Sequence, residues 1–209
     1  MQIPESVTEA ELRNRIDRSA VGLTALIERA LEQAIKSHTG QLREDGQPYL
    51  TEHIYPVTTL TINFLANEVT EEFVASALLH DCIEDDASFT KAELRSIFGS
   101  HICEIVMSLS KPSVAGQFSE TQKRQRVNGA YFKNLQSAPH EAKIIKLLDR
   151  IDNLHWAMTF GKELVTIYLD ETKNFYLPFA KTVDARLYET ITAQTLRLEA
   201  EAKAAGFIE

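Results

Sequence analysis

The sequence predicts an all-α fold, a helical bundle, and three observations carry that. Only 8 Gly and 6 Pro punctuate 209 residues, so breaks are sparse. Between them, apolar residues recur every three or four positions, the period of a half-buried helix. Two Thr-x-x-Glu pairs, Thr8 with Glu11 and Thr90 with Glu93, have the spacing of capping boxes. With 44% hydrophobic and 25% charged residues the composition is that of a globular chain. A chain of this length buries roughly 70% of its unfolded surface, so its core needs neither disulfide nor structural metal. Any metal it holds is therefore functional.

A first helix is expected from Glu9 to His38, with Leu12, Ile16, Val21, Leu23, Leu26, Ile27, Leu31 and Ile35 as its buried stripe. The following loop, Thr39 to about Thr51, holds the turn formers Gly40, Asp45-Gly46 and Gln47-Pro48, together with Arg43 and Tyr49, contents typical of loops that line sites. Helices follow at about His53 to Asn67 and Glu71 to Asp85, the second opened by Thr70 with two glutamates in its first turn. Thr90 starts a short helix ended by Gly99, and another runs to about Ser110, where Lys111-Pro112 stops it. Pro112 to Gln117 reads as a loop and Ser119 to Leu135 as a polar, basic-leaning helix. Pro139 opens a strongly apolar helix to Phe160, closed by Gly161. Two or three further helices fill Glu163 to Ala205. No linker, repeat or low-complexity tract interrupts the pattern, so residues 1–209 are expected to form a single domain, with 1–26 and 181–209 as flanking helices packed on it.

A formal charge of −8 and the lack of a long Lys/Arg block argue against nucleic-acid and membrane partners. The run Lys123, Arg124, Arg126 reads as a solvated helix face. Cys82 and Cys103 form no CxxC pair, the N-terminus lacks the apolar run of a secretory signal, and no stretch approaches the ~20 apolar residues of a membrane span. A cytoplasmic location is expected. The sequence leaves a homo-oligomer open.

Chemistry concentrates in two helices. In Leu78-Leu79-His80-Asp81-Cys82-Ile83-Glu84-Asp85, four ionisable groups share two turns with core residues, and four-residue spacing stacks His80 over Glu84 and Asp81 over Asp85 as a polar ridge. Buried carboxylates require a cation, a donor network or solvent, and a cation answers most simply. The bland alternative is an acidic, exposed helix end. In Ile144 to Leu154, Asp149 and Asn153 lie on one face among Leu148, Ile151 and Leu154. Asp149 is either a further ligand or the partner of Lys146 or Arg150. With His53, these residues offer two imidazoles and two carboxylates, a donor set suited to manganese, iron or zinc. Cys82 reads as a buried apolar residue.

A separated His, then His-Asp, then a distant Asp resembles the signature of HD-domain metal-dependent phosphohydrolases. The stretches HTGQLREDGQPYLTEH, ALLHDCIEDD, FG at 98–99, IIKLLDRIDNL and ETKNFYLPFA are similar, in order, to motifs of the hydrolase domain of RelA/SpoT homologues, in the stand-alone small alarmone hydrolase type that includes metazoan SpoT homologues. The resemblance implies that His53, His80, Asp81 and Asp149 hold one Mn2+, that Glu84 and Asp85 are the catalytic acidic pair, and that Arg43 packs on the base while Asn153 contacts the substrate nucleotide. Lys146, beside Asp149, is placed to meet a pyrophosphate and reads equally as a side chain snorkelling at a helix edge. The implied reaction removes the 3′-pyrophosphate of ppGpp or pppGpp. His38 matches a family position that supports the site and reads equally as a helix-end histidine.

The chain departs from the family pattern at several positions. Glu44 and Asp45 stand where a basic residue commonly follows the arginine, and Asp86, Asp152 and His155 replace a frequent threonine, an aromatic or histidine, and an arginine. The interval from Tyr49 to His53 is one residue longer than usual, and Ile54 replaces a proline. Two other readings stay open: an HD phosphohydrolase of another nucleotide or dinucleotide, and a non-catalytic nucleotide-sensing module.

Overall fold

The structure, a computed structural model, describes residues 1–111 and 120–209, without the side chains of 120–127. The loop expected at Pro112 to Gln117 and the side chains of Lys123, Arg124 and Arg126 lie outside the described residues. Helices α1 (Glu9–Asp17) and α2 (Ala25–His38) replace the single helix expected from Glu9 to His38. Between them Gly22 takes φ +67, a backbone region that side chains with Cβ disfavour, and Thr24 caps α2 by accepting from the Ile27 N–H. The apolar run Val21, Leu23, Leu26 continues across this turn, which is why periodicity alone bridges it.

The chain becomes helical again earlier than expected, in a π-helical turn over Leu50–Ile54 that feeds α3 (Tyr55–Leu65) and a 3-10 turn at Ala66–Glu68. Helix α4 (Glu71–Leu79) ends at His80, and α5 (Cys82–Asp85) restarts after Asp81. The expected continuous helix to Asp85 is thus broken between the two candidate ligands. The Asp81 carbonyl accepts from the N–H groups of Glu84 and Asp85, both at 3.0 Å, so the acidic pair stays tied to that break. The ridge is two short segments rather than one helix face.

Helix α6 (Lys91–Leu109) is capped by Thr90 and Glu93 as predicted and kinks at Gly99, whose φ of 86 only glycine adopts readily. Helix α7 (Glu120–Gln136) precedes α8 (His140–Trp156), which starts after Pro139 and continues as a 3-10 turn, Ala157–Phe160, up to Gly161. Three helices complete the chain: α9 (Lys162–Glu171), α10 (Leu177–Val183) and α11 (Ala185–Ala204), with a π-helical turn at Thr172–Tyr176 joining the first two. No strand occurs among the described residues; the one β-bridge, Leu42 with Pro48, pins the loop before His53.

Helices α3, α4 and α8 form the centre, with α2 and α6 against α4 and with α10 and α11 against α8. Their facing residues, among them Leu60, Leu78, Leu79, Ile145, Leu148 and Ile151, are fully buried. At about 25 cal/mol per Å2, this apolar contact is the main force holding the central helices in register. That register brings the start of α3, the end of α4 and the middle of α8 to one place.

Candidate metal centre and active site

Three separate segments deliver the candidate ligands. His53 comes from the π-helical turn, His80 and Asp81 from the break after α4, and Asp149 from α8. All four are buried. His53 Nε2 lies 3.3 Å from His80 Nε2, 3.4 Å from Asp81 Oδ2 and 3.5 Å from Asp149 Oδ1, and His80 Nε2 lies 3.1 Å from Asp81 Oδ2. Ligand atoms of His53, His80 and Asp149 all fall within 4.8 Å of one another.

Hydrogen bonds fix which nitrogen of each ring faces inward. His80 Nδ1 is 2.8 Å from the Ala77 carbonyl, which can only accept, so Nδ1 carries the proton. His53 Nδ1 likewise donates to Asp152 Oδ2 at 2.7 Å. Each neutral ring therefore turns an Nε2 lone pair toward the other and toward two carboxylates. Four electron-rich atoms in one buried place repel unless positive charge lies among them, and the donor set fits a divalent ion.

Without an ion, protons supply that charge. Burial opposes protonation of His53, yet the hydrogen bonds to Asp152 and Asp81 outweigh it and pull the imidazole up to about 9. His80 is raised in the same way, burial being outweighed by Asp81. Burial works to raise Asp81, but His80 and His53 hold it well below the usual carboxylate range. Lys146, followed by His53, similarly overcomes burial to hold Asp149 down to about 2. The centre is built for anionic ligands around a cation.

The backbone runs into His53 through the π-helical turn. A π turn accommodates one extra residue in a helical path, and here the Tyr55 N–H bonds back to the Leu50 carbonyl. Tyr49 and His53 stay side by side, ring centroids 5.0 Å apart, and the Tyr49 hydroxyl donates to Asp81 Oδ2 at 2.6 Å. The aromatic in a turn-rich loop was the only sequence signal for Tyr49.

Glu84 and Asp85 lie beside the centre at its open side. Desolvation, then the charge of Asp81, pushes Glu84 up to about 6 against the pull of Lys146 and of the Lys111 N–H, which donates to Glu84 Oε1 at 2.5 Å. Asp85 is raised by the same two causes, while Gln41 Nε2 donates to its Oδ2 at 2.9 Å. The Gln41 Oε1 contacts His38 Nδ1 at 2.7 Å, so His38 is a buried support of the acidic pair. Cys82, 3.6 Å from His38 Nε2, has its thiol pushed up to about 12 by burial and is inert.

The remaining expected residues serve the carboxylates directly. Lys146 Nζ pairs with Asp149 Oδ2 at 2.7 Å, and Asn153 Nδ2 donates to Asp149 Oδ1 at 2.5 Å. The Arg43 side chain is only 2% exposed: it donates to Asp152 Oδ2 at 3.0 Å and to the Glu52 carbonyl, beneath the Phe160 ring at 5.0 Å. It thus reaches the centre through Asp152 and His53, and the structure buries the guanidinium expected to pack on a base, because Asp152 and the Glu52 carbonyl take its donors. Sequence reasoning missed Lys111 and Tyr131; the Lys111 and Lys146 ammonium groups lie 5.6 and 5.8 Å from the Tyr131 ring centroid, a cationic pair next to Glu84.

The HD domain family matches residues 30–185 of the chain. Among curated proteins, the guanosine-3′,5′-bis(diphosphate) 3′-pyrophosphohydrolase of Drosophila melanogaster is 31% identical over 172 residues, which cover 81% of this chain and 88% of that protein. A probable enzyme of the same name from Mycoplasma pneumoniae is 29% identical over 81% of this chain, and a GTP pyrophosphokinase of Myxococcus xanthus is 31% identical over 74%. The chain spans only 23% and 20% of those two bacterial relatives. The solved structure of a metazoan SpoT ortholog, described as hydrolysing ppGpp, shares the fold with a TM-score of 0.68 at 21% identity, over 88% of this chain and 98% of that one.

Proposed function

The chain belongs to the HD-domain family, and on that premise we propose that it is a Mn2+-dependent hydrolase of guanosine alarmones, converting ppGpp or pppGpp and water to GDP or GTP and pyrophosphate. The observation that carries this reading is the convergence of His53, His80, Asp81 and Asp149 within 3.5 Å contacts beside the Glu84–Asp85 pair. The name of the Drosophila relative, most of whose length this chain covers, supplies the substrate class.

In this reading those four residues hold one divalent ion, which when bound lowers the pKa of water toward neutrality and offsets charge on the attacked phosphoryl group. Glu84, raised to about 6, takes the proton from the attacking water, and Asp85, fixed by Gln41, orients that water. Asn153 and Lys146 hold Asp149 in place and, with Lys111, meet the leaving pyrophosphate. Arg43, paired with Asp152, steadies the loop before His53.

Three of the acidic departures have partners within the protein, while Glu44 is exposed. Asp152 is fully buried under Arg43, Asp86 accepts from Ser37 and Ser88, and Asp45 accepts from Thr159. In this reading the whole chain acts as one hydrolase domain, lowering alarmone levels in a stringent-type response in the cytoplasm. No helix of the described residues is long and apolar enough to cross a membrane. Purified protein loaded with Mn2+ and offered ppGpp, pppGpp and a panel of other nucleotides tests this. Release of pyrophosphate from ppGpp and pppGpp is expected; turnover confined to other nucleotides, or none, overturns it.

A further inference from the structure

Asp152 lies in α8, whose buried side also carries Lys146, Asp149 and Arg150, and it is the one carboxylate among the described residues with no exposure at all. Its Oδ2 accepts two bonds, from His53 Nδ1 at 2.7 Å and from Arg43 Nη1 at 3.0 Å. Its Oδ1 is buried without a partner. A core carboxylate with one oxygen unpaired carries a desolvation cost that its two bonds must offset, and those bonds are the only ones the group makes among the described residues. Its retention calls for a role, and its contacts define one.

We propose that Asp152 is a positioning residue of the metal centre: it holds His53 with Nδ1 protonated and Nε2 aimed at the ion, and it joins that ligand to Arg43 and so to the 39–49 loop. Three points of geometry support it. A carboxylate cannot donate, so the proton between His53 and Asp152 resides on the ring and Nε2 is left free. The negative charge behind the ring raises the basicity of Nε2, as carboxylate–histidine–metal arrangements do. Arg43, clamped between Asp152 and the Glu52 carbonyl, fixes the carboxylate against rotation and anchors the backbone next to His53. None of this follows from the pattern the chain resembles, which commonly has an aromatic residue or histidine at this position.

The inference rests on the metal set proposed above, and its test separates the two. Mn2+ and Zn2+ affinity is measured by calorimetry on wild type and Asp152→Asn, with circular dichroism as the folding control, and 15N-histidine spectra are recorded on the Zn2+-loaded proteins. The variant is expected to fold and to bind either ion roughly 10–100-fold more weakly. In the wild type, His53 should be ligated through Nε2 with a strongly downfield Nδ1 proton that moves upfield in the variant, a change that a merely structural role would not produce. Equal affinity and an unmoved Nδ1 proton overturn the inference while leaving the metal reading intact; no metal uptake by the wild type overturns both. Should the variant fail to fold, the wild-type spectrum alone decides, and ligation of His53 through Nδ1 overturns the proposal.

Discussion

His53 and His80 meet Nε2 to Nε2 at 3.3 Å while their Nδ1 atoms are held away, one by Asp152 and the other by the Ala77 carbonyl. Two imidazoles from segments 27 residues apart would not be brought this close with both lone pairs inward for packing alone. The cost is met either by protons or by an ion, and that competition sets the pH behaviour of the centre.

Metal affinity should fall as the medium is acidified. In the metal-free protein His53 titrates near 9, so at lower pH an ion must displace a proton, and apparent affinity drops about tenfold per pH unit for one proton released. The same raised value stabilises the metal-free fold fully below 6.5 and is lost as pH rises through about 9. The gain in Tm on adding metal should therefore widen between those values. Calorimetry in buffers of different ionisation enthalpy counts the protons; pH-independent affinity would contradict the assignment.

Glu84→Gln should lower kcat by about 10^2–10^4-fold while leaving metal affinity nearly unchanged, because Glu84 handles a proton rather than holding the ion. The wild-type kcat should decline as pH falls through about 6, where the Glu84 carboxyl gains its proton, and this limb should be missing from the residual activity of the variant. Steady-state kinetics across pH 5 to 8 read both effects.

Lys111→Ala should raise KM for ppGpp about 10–150-fold with little change in Tm, since a charge-assisted contact to phosphate is worth roughly 1.5–3 kcal/mol and the backbone N–H that reaches Glu84 remains. An unchanged KM would remove Lys111 from the substrate side.

The largest stability effect outside the centre should come from Glu171→Ala. Arg150 is buried against the Tyr176 ring at 3.9 Å and pairs with Glu171 Oε2 at 2.7 Å, so truncation strands a buried guanidinium. A loss of about 3–5 kcal/mol is expected. For a chain of this size that is a Tm lower by about 10 °C, readable by calorimetry or circular dichroism.

Local signals were legible in the sequence. The Thr8–Glu11 and Thr90–Glu93 boxes form as spaced, and Gly99 and Gly161 mark a kink and a helix start. Breaks masked by continuing apolar periodicity were not: Val21 and Leu23 carry the pattern across the Gly22 turn, and Cys82 and Ile83 carry it past the interruption at His80–Asp81. At the site, residue types and order named the converging side chains, but second contacts depend on tertiary register. Arg43 and Asp152 are 109 residues apart, and nothing in local spacing pairs them or sends Arg43 beneath Phe160. The π-helical turn before His53 was likewise visible only in the backbone.

Anomalous diffraction from crystals grown with Mn2+ tests the central claim most directly. A single peak is predicted within about 2.5 Å of His53 Nε2, His80 Nε2 and one carboxylate oxygen each of Asp81 and Asp149. A peak elsewhere, or an ion that any of these four side chains turns away from, would contradict it.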